Sequence, residues 1–172
     1  MSVRPRRPED VPALAEVLAA QQAGSRYPMR WPLPFPVERF LVRESEEAAW
    51  VAEADGRLVG HVAVCSVTDP AVFRVPGDLA AVAVLFVDPA VRGSGLGGRL
   101  LDTAVAWVRE RGRVPVLDVV PRHSRAVEVY RHRGWVEVGR LRPDWLPADE
   151  DDLVLMTLPP GPVEGDRRTG AD

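Results

Sequence analysis

Four glycines fall within six residues, Gly93-Ser94-Gly95-Leu96-Gly97-Gly98, directly after Arg92 and between an unbroken apolar run and a helical pattern. No other segment narrows the fold as much. A turn without side chains lets the backbone come close to a bulky anion, because no Cβ stands between its amides and the ligand. A helix that starts at this turn adds unpaired N–H groups and partial positive charge, a combination suited to a phosphate or pyrophosphate. Without a ligand, the same run would only weaken the helix start.

The neighbouring patterns place this turn in a sheet. Leu79 to Val87 is almost wholly apolar and predicts a central strand buried on both faces, ended by Asp88-Pro89. Leu96, Leu100, Leu101, Ala104 and Val108 recur at helical spacing, and Gly112 marks a stop. Val114 to Val120 reads as a second buried strand, which gives one strand–helix–strand crossover. Upstream, Val3 to Arg7 predicts a strand, and Pro8-Glu9-Asp10 opens a helix carrying Val11, Leu14, Val17 and Leu18 on one face. Gln21 to Pro36 is a proline-rich loop with Tyr27, Trp31 and Phe35, followed by a short helix over Val37 to Ser45.

Trp50–Glu53 and Leu58–Val67 flank Asp55-Gly56, the dipeptide that best tolerates the positive φ of a two-residue hairpin turn. Downstream lie a helix over Ser124 to Arg133 and strands at Val136–Val138 and Leu153–Leu158. The expected fold is a single α/β (α+β) domain over residues 1–158, with a mixed, mostly antiparallel twisted sheet of six to seven strands and about four helices. Residues 159–172, rich in Pro, Gly and charge, read as a flexible tail.

Composition removes several functions. A formal net charge of −3 provides no field for a polyanion, so nucleic acid is not an expected partner. Cys65 is the lone cysteine and lies in an apolar run, so a buried thiol is expected. His61, His123 and His132 share no ligand spacing, and no metal is expected. The N-terminus moves straight to charge and no segment has spanning length, so the expected setting is cytoplasmic, with no membrane partner.

The absence of any Lys excludes a nucleotide-hydrolase loop ending in Gly-Lys, and the absence of Asn and Ile warns that motif positions can carry substitutes. Gly93, Gly95 and Gly98 do match a dinucleotide fingerprint. Against a nicotinamide oxidoreductase stand the residues intervening between strand and first glycine, the position of Asp118 inside a strand, and the short remaining chain.

One further reading covers the whole segment. Val87 through Leu101 resembles the coenzyme A-binding motif of the GNAT superfamily of N-acyltransferases, with Arg92, Gly95 and Gly97 filling its [Arg/Gln]-x-x-Gly-x-[Gly/Ala] core. Arg125 through Trp135 resembles the second motif of that superfamily, an Ala, a Tyr and then Gly-aromatic, and Arg4-Pro5 with Glu9-Asp10-Val11 resembles its first strand and helix. The resemblance runs in order over about residues 3–158.

It implies splayed central strands with the pantetheine arm of acetyl-CoA in the gap, paired to backbone groups of Leu85, Phe86 and Val87. Arg92 and the amides of Gly93, Ser94, Gly95, Leu96, Gly97 and Gly98 would hold the pyrophosphate, and His123 stands where many relatives use Asn against the pantetheine. Tyr130 would be the general acid for the leaving thiolate, and an amide near Leu85 or Phe86 would stabilise the oxyanion.

The central-strand carboxylate that many members use as a base is absent, since Ala83 and Val84 occupy the comparable positions. His61 is the candidate base, with Glu53 and Asp118 behind it. Tyr27, Trp31, Phe35 and Trp145 would wall the acceptor site, near the acidic run Asp149–Asp152. The resemblance implies N-acetyl transfer from acetyl-CoA to a small-molecule or peptide amine by direct attack in a ternary complex, and a homodimer as a common assembly. The missing central-strand base leaves a non-catalytic acyl-CoA-binding module as the alternative.

Overall fold

The computed structural model describes residues 1–122 and 124–161. Seven strands form one sheet: β1 Ser2–Pro5, β2 Glu46–Ala54, β3 Arg57–Ser66, β4 Leu79–Val87, β5 Val114–Val119, β6 Val136–Leu141 and β7 Leu153–Thr157. Four α-helices flank it: α1 Val11–Ser25, α2 Val37–Leu41, α3 Leu96–Glu110 and α4 Ser124–His132. The strand order is β1-β2-β3-β4-β5-β7-β6, and every neighbouring pair is antiparallel except β4 and β5. No described helix is long and apolar enough to cross a membrane.

The β2–β3 hairpin closes where Asp55-Gly56 stood, with φ of 50° and 72° at the two residues. The α1 helix runs to Ser25, four residues beyond the Gln21 where the loop was expected to begin, and α2 stops at Leu41 rather than Ser45. The chain then enters β2 at Glu46, earlier than its hydrophobic pattern suggests. Its first two residues, Glu46 and Glu47, are acidic, and the pairing of Glu46 with Cys65 and Ala48 with Val64 holds this end in the ladder. This is tertiary context overriding local composition.

Each face of the sheet has its own core. Under α3 lie Leu96, Leu100, Leu101, Ala104 and Val108 with Val62, Val64, Val82, Leu117 and Val119, all buried. Under α1 and α2 lie Leu14, Leu18 and Leu41 with Val51, Ala63, Val84 and Phe86. Gly60 explains how closely α3 seats: a Cβ there would meet Leu100 Cδ1, the Phe86 carbonyl and Val87 Cγ1 at 3.0 Å each. Fully burying one such leucine contributes about 1.5–3 kcal/mol, so the two cores together fix the sheet between the helices.

Two departures from regular pairing lie in β4, and both matter for the site. The parallel ladder with β5 consists of Leu79–Val114, Ala80–Pro115 and Ala81–Val116, and Val82–Val87 continue without β5 partners. As expected, β4 has buried residues on both faces, Ala80 and Val82 under α3 and Val84 and Phe86 under α1, while Ala83, Leu85 and Val87 in the stretch without β5 are half-buried. The second departure is a β-bulge against β3. His61 pairs with Phe86 and Ala63 with Ala83, so Val62 faces two residues, Val84 and Leu85. Val84 takes φ 52°, and consecutive residues Ala83 and Val84 both turn to the α1 face. A β-branched side chain in that region costs on the order of 1–3 kcal/mol.

Candidate functional site

The end of β4 builds the glycine turn. The Asp88 amide donates to the Val59 carbonyl at 2.7 Å, and the Asp88 carboxylate accepts from the Ala90 amide at 2.9 Å, capping a short 3-10 turn over Pro89–Val91. Gly93 and Gly95 then take φ of 82° each, the left-handed region that favours glycine, and α3 starts at Leu96. A Cβ at either position would meet no protein atom within 4 Å, so backbone conformation, not crowding, calls for glycine there.

The Ser94 and Arg99 amides donate to the Val91 and Gly95 carbonyls. Among the described residues, the amides of Gly93, Gly95, Gly97 and Gly98 take no backbone acceptor outside regular helix or strand bonding. Arg92 is exposed beside them. Donors, positive helix end and open approach together fit a diphosphate. His123 lies outside the described residues, as does the expected tail from 162 onward.

Parting from β5 leaves the residues expected to pair with a pantetheine arm on an open strand. Leu85 and Val87 are half-buried there, and Phe86 is buried on the opposite face, stacked on His61 with ring centroids 5.7 Å apart. The gap between β4 and β5 thus offers strand-edge N–H and C=O groups at its wall and the glycine turn at its mouth.

Three ionisable side chains converge at this gap. Asp118 lies on β5 and is exposed, whereas its neighbours Leu117 and Val119 are buried under α3. Though open to solvent it sits deep between elements, and that surrounding protein raises its pKa above the ordinary carboxylate value, against a smaller opposing pull from Arg43. Tyr130, half-buried on α4 and edge-on to Trp135 at 5.9 Å, has its pKa pushed up to about 12 by desolvation and by the negative charge of Asp118. Burial pushes the Tyr27 hydroxyl up as well, with Asp118 and Tyr130 adding to the rise. The Asp118 charge adds to the rise at both tyrosines, so the acid and the two phenols share one electrostatic environment. Sequence reasoning placed Asp118 behind His61. The signal it had was a lone acid in a buried strand, and the β4–β5 pairing that would adjoin that acid ends two residues before it, at Val116.

His61 is placed differently from a base. It is fully buried, Nδ1 lies 2.9 Å from the Val84 carbonyl, and Nε2 lies 3.1 Å from Arg6 Nη1. A carbonyl only accepts, so Nδ1 carries the proton, and the remaining lone pair on Nε2 accepts from the guanidinium. Desolvation lowers the pKa to about 4 despite the Val84 hydrogen bond, and Arg6 lowers it further. Both ring nitrogens are taken inside the core, which leaves no lone pair for a substrate proton. Glu53 is likewise engaged, accepting from Arg4 at 2.8 Å on the β1–β2 side of the sheet.

A 270 Å³ pocket lies beside this cluster, lined by Gln22, Arg26, Met29, Val120, Arg122 and Glu150 among others. Val120 follows Asp118 by two residues, so it shares that face of the strand run. Tyr27 belongs to the same loop as Met29. Trp31 is half-buried, Phe35 is 40% exposed and Trp145 54% exposed, and none of the three lines this pocket. The acidic run is tied down: Glu150 pairs with Arg122 at 3.1 Å and Asp152 with Arg142 at 2.7 Å. Arg133 reaches over the first turn of α3, donating to the Gly98 carbonyl at 3.0 Å and to Asp102 at 2.8 Å, and so ties the end of α4 to the glycine turn.

The model of the acetyltransferase (GNAT) family matches residues 16–135. An uncharacterised N-acetyltransferase of Methanocaldococcus jannaschii is 32% identical over 101 residues, 58% of this chain and 43% of that protein. The chain thus spans less than half the length of that relative. An N-alpha-acetyltransferase of Sulfurisphaera tokodaii is 29% identical over 140 residues, 77% of this chain and 80% of the relative. Among solved structures, NAA60 of Arabidopsis thaliana in complex with acetyl-CoA superposes with a TM-score of 0.69 at 19% identity, covering 91% of this chain and 97% of that one.

Proposed function

The chain belongs to the acetyltransferase (GNAT) family, and from that premise we propose that it moves an acetyl group from acetyl-CoA to an amine by direct attack within one ternary complex. The observation that carries this reading is the parting of β4 from β5 beyond Ala81 and Val116, beside a glycine turn with free amides. The free edge of β4 supplies strand-like pairing for the amides of a pantetheine arm, and the turn supplies donors for its pyrophosphate.

The proposed chemistry uses the groups at the gap. The neutral amine nitrogen forms a bond to the thioester carbon, and the carbonyl electrons move onto oxygen. When the C–S bond breaks, the thiolate takes a proton from the Tyr130 hydroxyl, which its raised pKa keeps protonated. The proton lost by the attacking nitrogen goes to Asp118, directly or through water; a carboxylate with a raised pKa is a better base at neutral pH than an ordinary one. Asp118 supplies the base that Ala83 and Val84 cannot, and this removes the reason for preferring a binding module without catalysis.

The amine would enter by the pocket between Met29, Val120 and Glu150. An α-amine of a peptide is the proposed acceptor class, supported by the activity in the name of the Sulfurisphaera relative. The test is thiol release from acetyl-CoA against peptide N-termini, polyamines and small amines. Amine-dependent release that falls about 10²–10⁴-fold in Tyr130→Phe is the expected result. Undiminished turnover in that variant would take Tyr130 out of the mechanism.

A further inference from the structure

The bulge in β4 is strained, buried and braced from outside its own strand. Val84, 2% exposed, sits at φ 52°, and its carbonyl has left the β3 ladder to accept from His61 Nδ1. The far side of the ring is held in turn. Arg6 Nη1 lies 3.1 Å from His61 Nε2, 3.0 Å from Glu46 Oε2 and 3.1 Å from the Leu41 carbonyl, while Arg6 Nη2 donates to Glu46 Oε1. The Arg6 and Glu46 side chains are only 9% and 13% exposed. A four-membered chain, Glu46 to Arg6 to His61 to the Val84 carbonyl, therefore runs through the interior.

That chain has a consequence set by covalent geometry. In a planar trans peptide the C=O and the following N–H point to opposite sides. With the Val84 carbonyl drawn toward His61 on the β3 side, the Leu85 N–H is turned the other way, to the side that β5 has left. We propose that His61, braced by Arg6 and Glu46, is a positioning residue for acyl transfer: it fixes the Val84–Leu85 peptide so that the Leu85 N–H meets the oxygen of the thioester carbonyl. The inference rests on the acetyl-transfer reading above and adds a residue that touches neither substrate. A donor aimed in advance stabilises the developing oxyanion without reorganising during the reaction.

Two substitutions separate positioning from packing. His61→Phe fills a similar volume beside Phe86 but donates nothing to Val84, whereas His61→Asn places an amide N–H near the position of Nδ1. Expected is a loss of about 10²-fold in kcat for H61F with the KM for acetyl-CoA changed little, and recovery to within a few-fold in H61N. Crystal structures should show Val84 leaving positive φ in H61F and keeping it in H61N.

A second measurement needs no variant. In leucine-labelled wild-type protein, the Leu85 amide proton should move downfield with acetyl-CoA and much less with free CoA, which has no carbonyl to accept. Wild-type kcat in H61F, no recovery in H61N, or equal Leu85 shifts with the two ligands would each overturn the proposal. Wild-type protein that binds no acetyl-CoA would instead overturn the acetyl-transfer reading itself, while Val84 φ in the variants would still report whether His61 holds the bulge.

Discussion

In the proposed reaction Tyr130 and Asp118 are opposed partners: one must hold its proton and the other must lose it. Burial serves both. It keeps the phenol protonated until about pH 12, and it lifts the carboxylate above its ordinary value of 3.8, toward the range where a base is useful. The account therefore predicts that kcat falls as pH drops through the raised Asp118 pKa, with no descending limb from Tyr130 below about pH 11. Asp118→Asn should lower kcat about 10²–10⁴-fold and remove the limb on the acid side, checked by a pH–rate profile. The sequence singles out Tyr130 as the proposed acid through the motif that surrounds it. It offers Asp118 only as a weaker candidate base, because a strand pattern does not say where the neighbouring strand departs. His61 was misplaced for a related reason: its ordinary pKa range suggested a base, but the partners that occupy both nitrogens, Val84 and Arg6, lie 23 and 55 residues away.

At the scale of elements, the glycine turn and the β4 bulge do separate work. In the proposed function the turn holds the cofactor and the bulge orients the reaction, so lesions in them should separate KM from kcat. Gly95→Ala forces a side chain onto φ 82°, a change that destabilises the turn by about 1 kcal/mol or more and removes its preset shape. Its expected effect is a rise of about tenfold in the KM for acetyl-CoA with a smaller change in kcat, read by steady-state kinetics and by the heat of CoA binding. Most elements could be read from periodicity: β4, α3 and the hairpin turn at Asp55-Gly56 lie where the pattern put them. The bulge could not be read. Val84 is a strong strand former whose type argues against positive φ, and only the ring of His61 reveals why the backbone turns there.

At the scale of the whole molecule, one sheet divides two cores, and the acid sensitivity of the fold follows from groups buried in them. His61 is neutral in the folded protein, with its pKa lowered from 6.5 to about 4. The unfolded chain then binds more protons between those values, so stability is full above about pH 6.5 and is lost as pH falls toward about 4. The total from this group is on the order of 3 kcal/mol. Urea unfolding at pH 7 and pH 4.5 should show most of that loss, and His61→Asn should flatten the dependence. Asp10, held below its ordinary 3.8 chiefly by the Arg4 guanidinium, acts in a separate and lower window: its contribution is present above that value and disappears as pH falls through its depressed pKa.

The single parallel pair was implied by the crossover at the glycine turn, whereas the insertion of β7 between β5 and β6 was not read from the sequence. The open seam in that pair, which makes the fold a receptacle, was implied only by resemblance, since an apolar run looks the same whether its neighbour stays or leaves. The most direct measurement is a co-crystal structure with acetyl-CoA. The account predicts a pantetheine arm paired to the free edge of β4 at Leu85–Val87, a pyrophosphate on the glycine amides of the Gly93–Gly98 turn and a thioester between Tyr130 and Asp118. A cofactor bound elsewhere, or a seam closed by continued β4–β5 pairing, would contradict it.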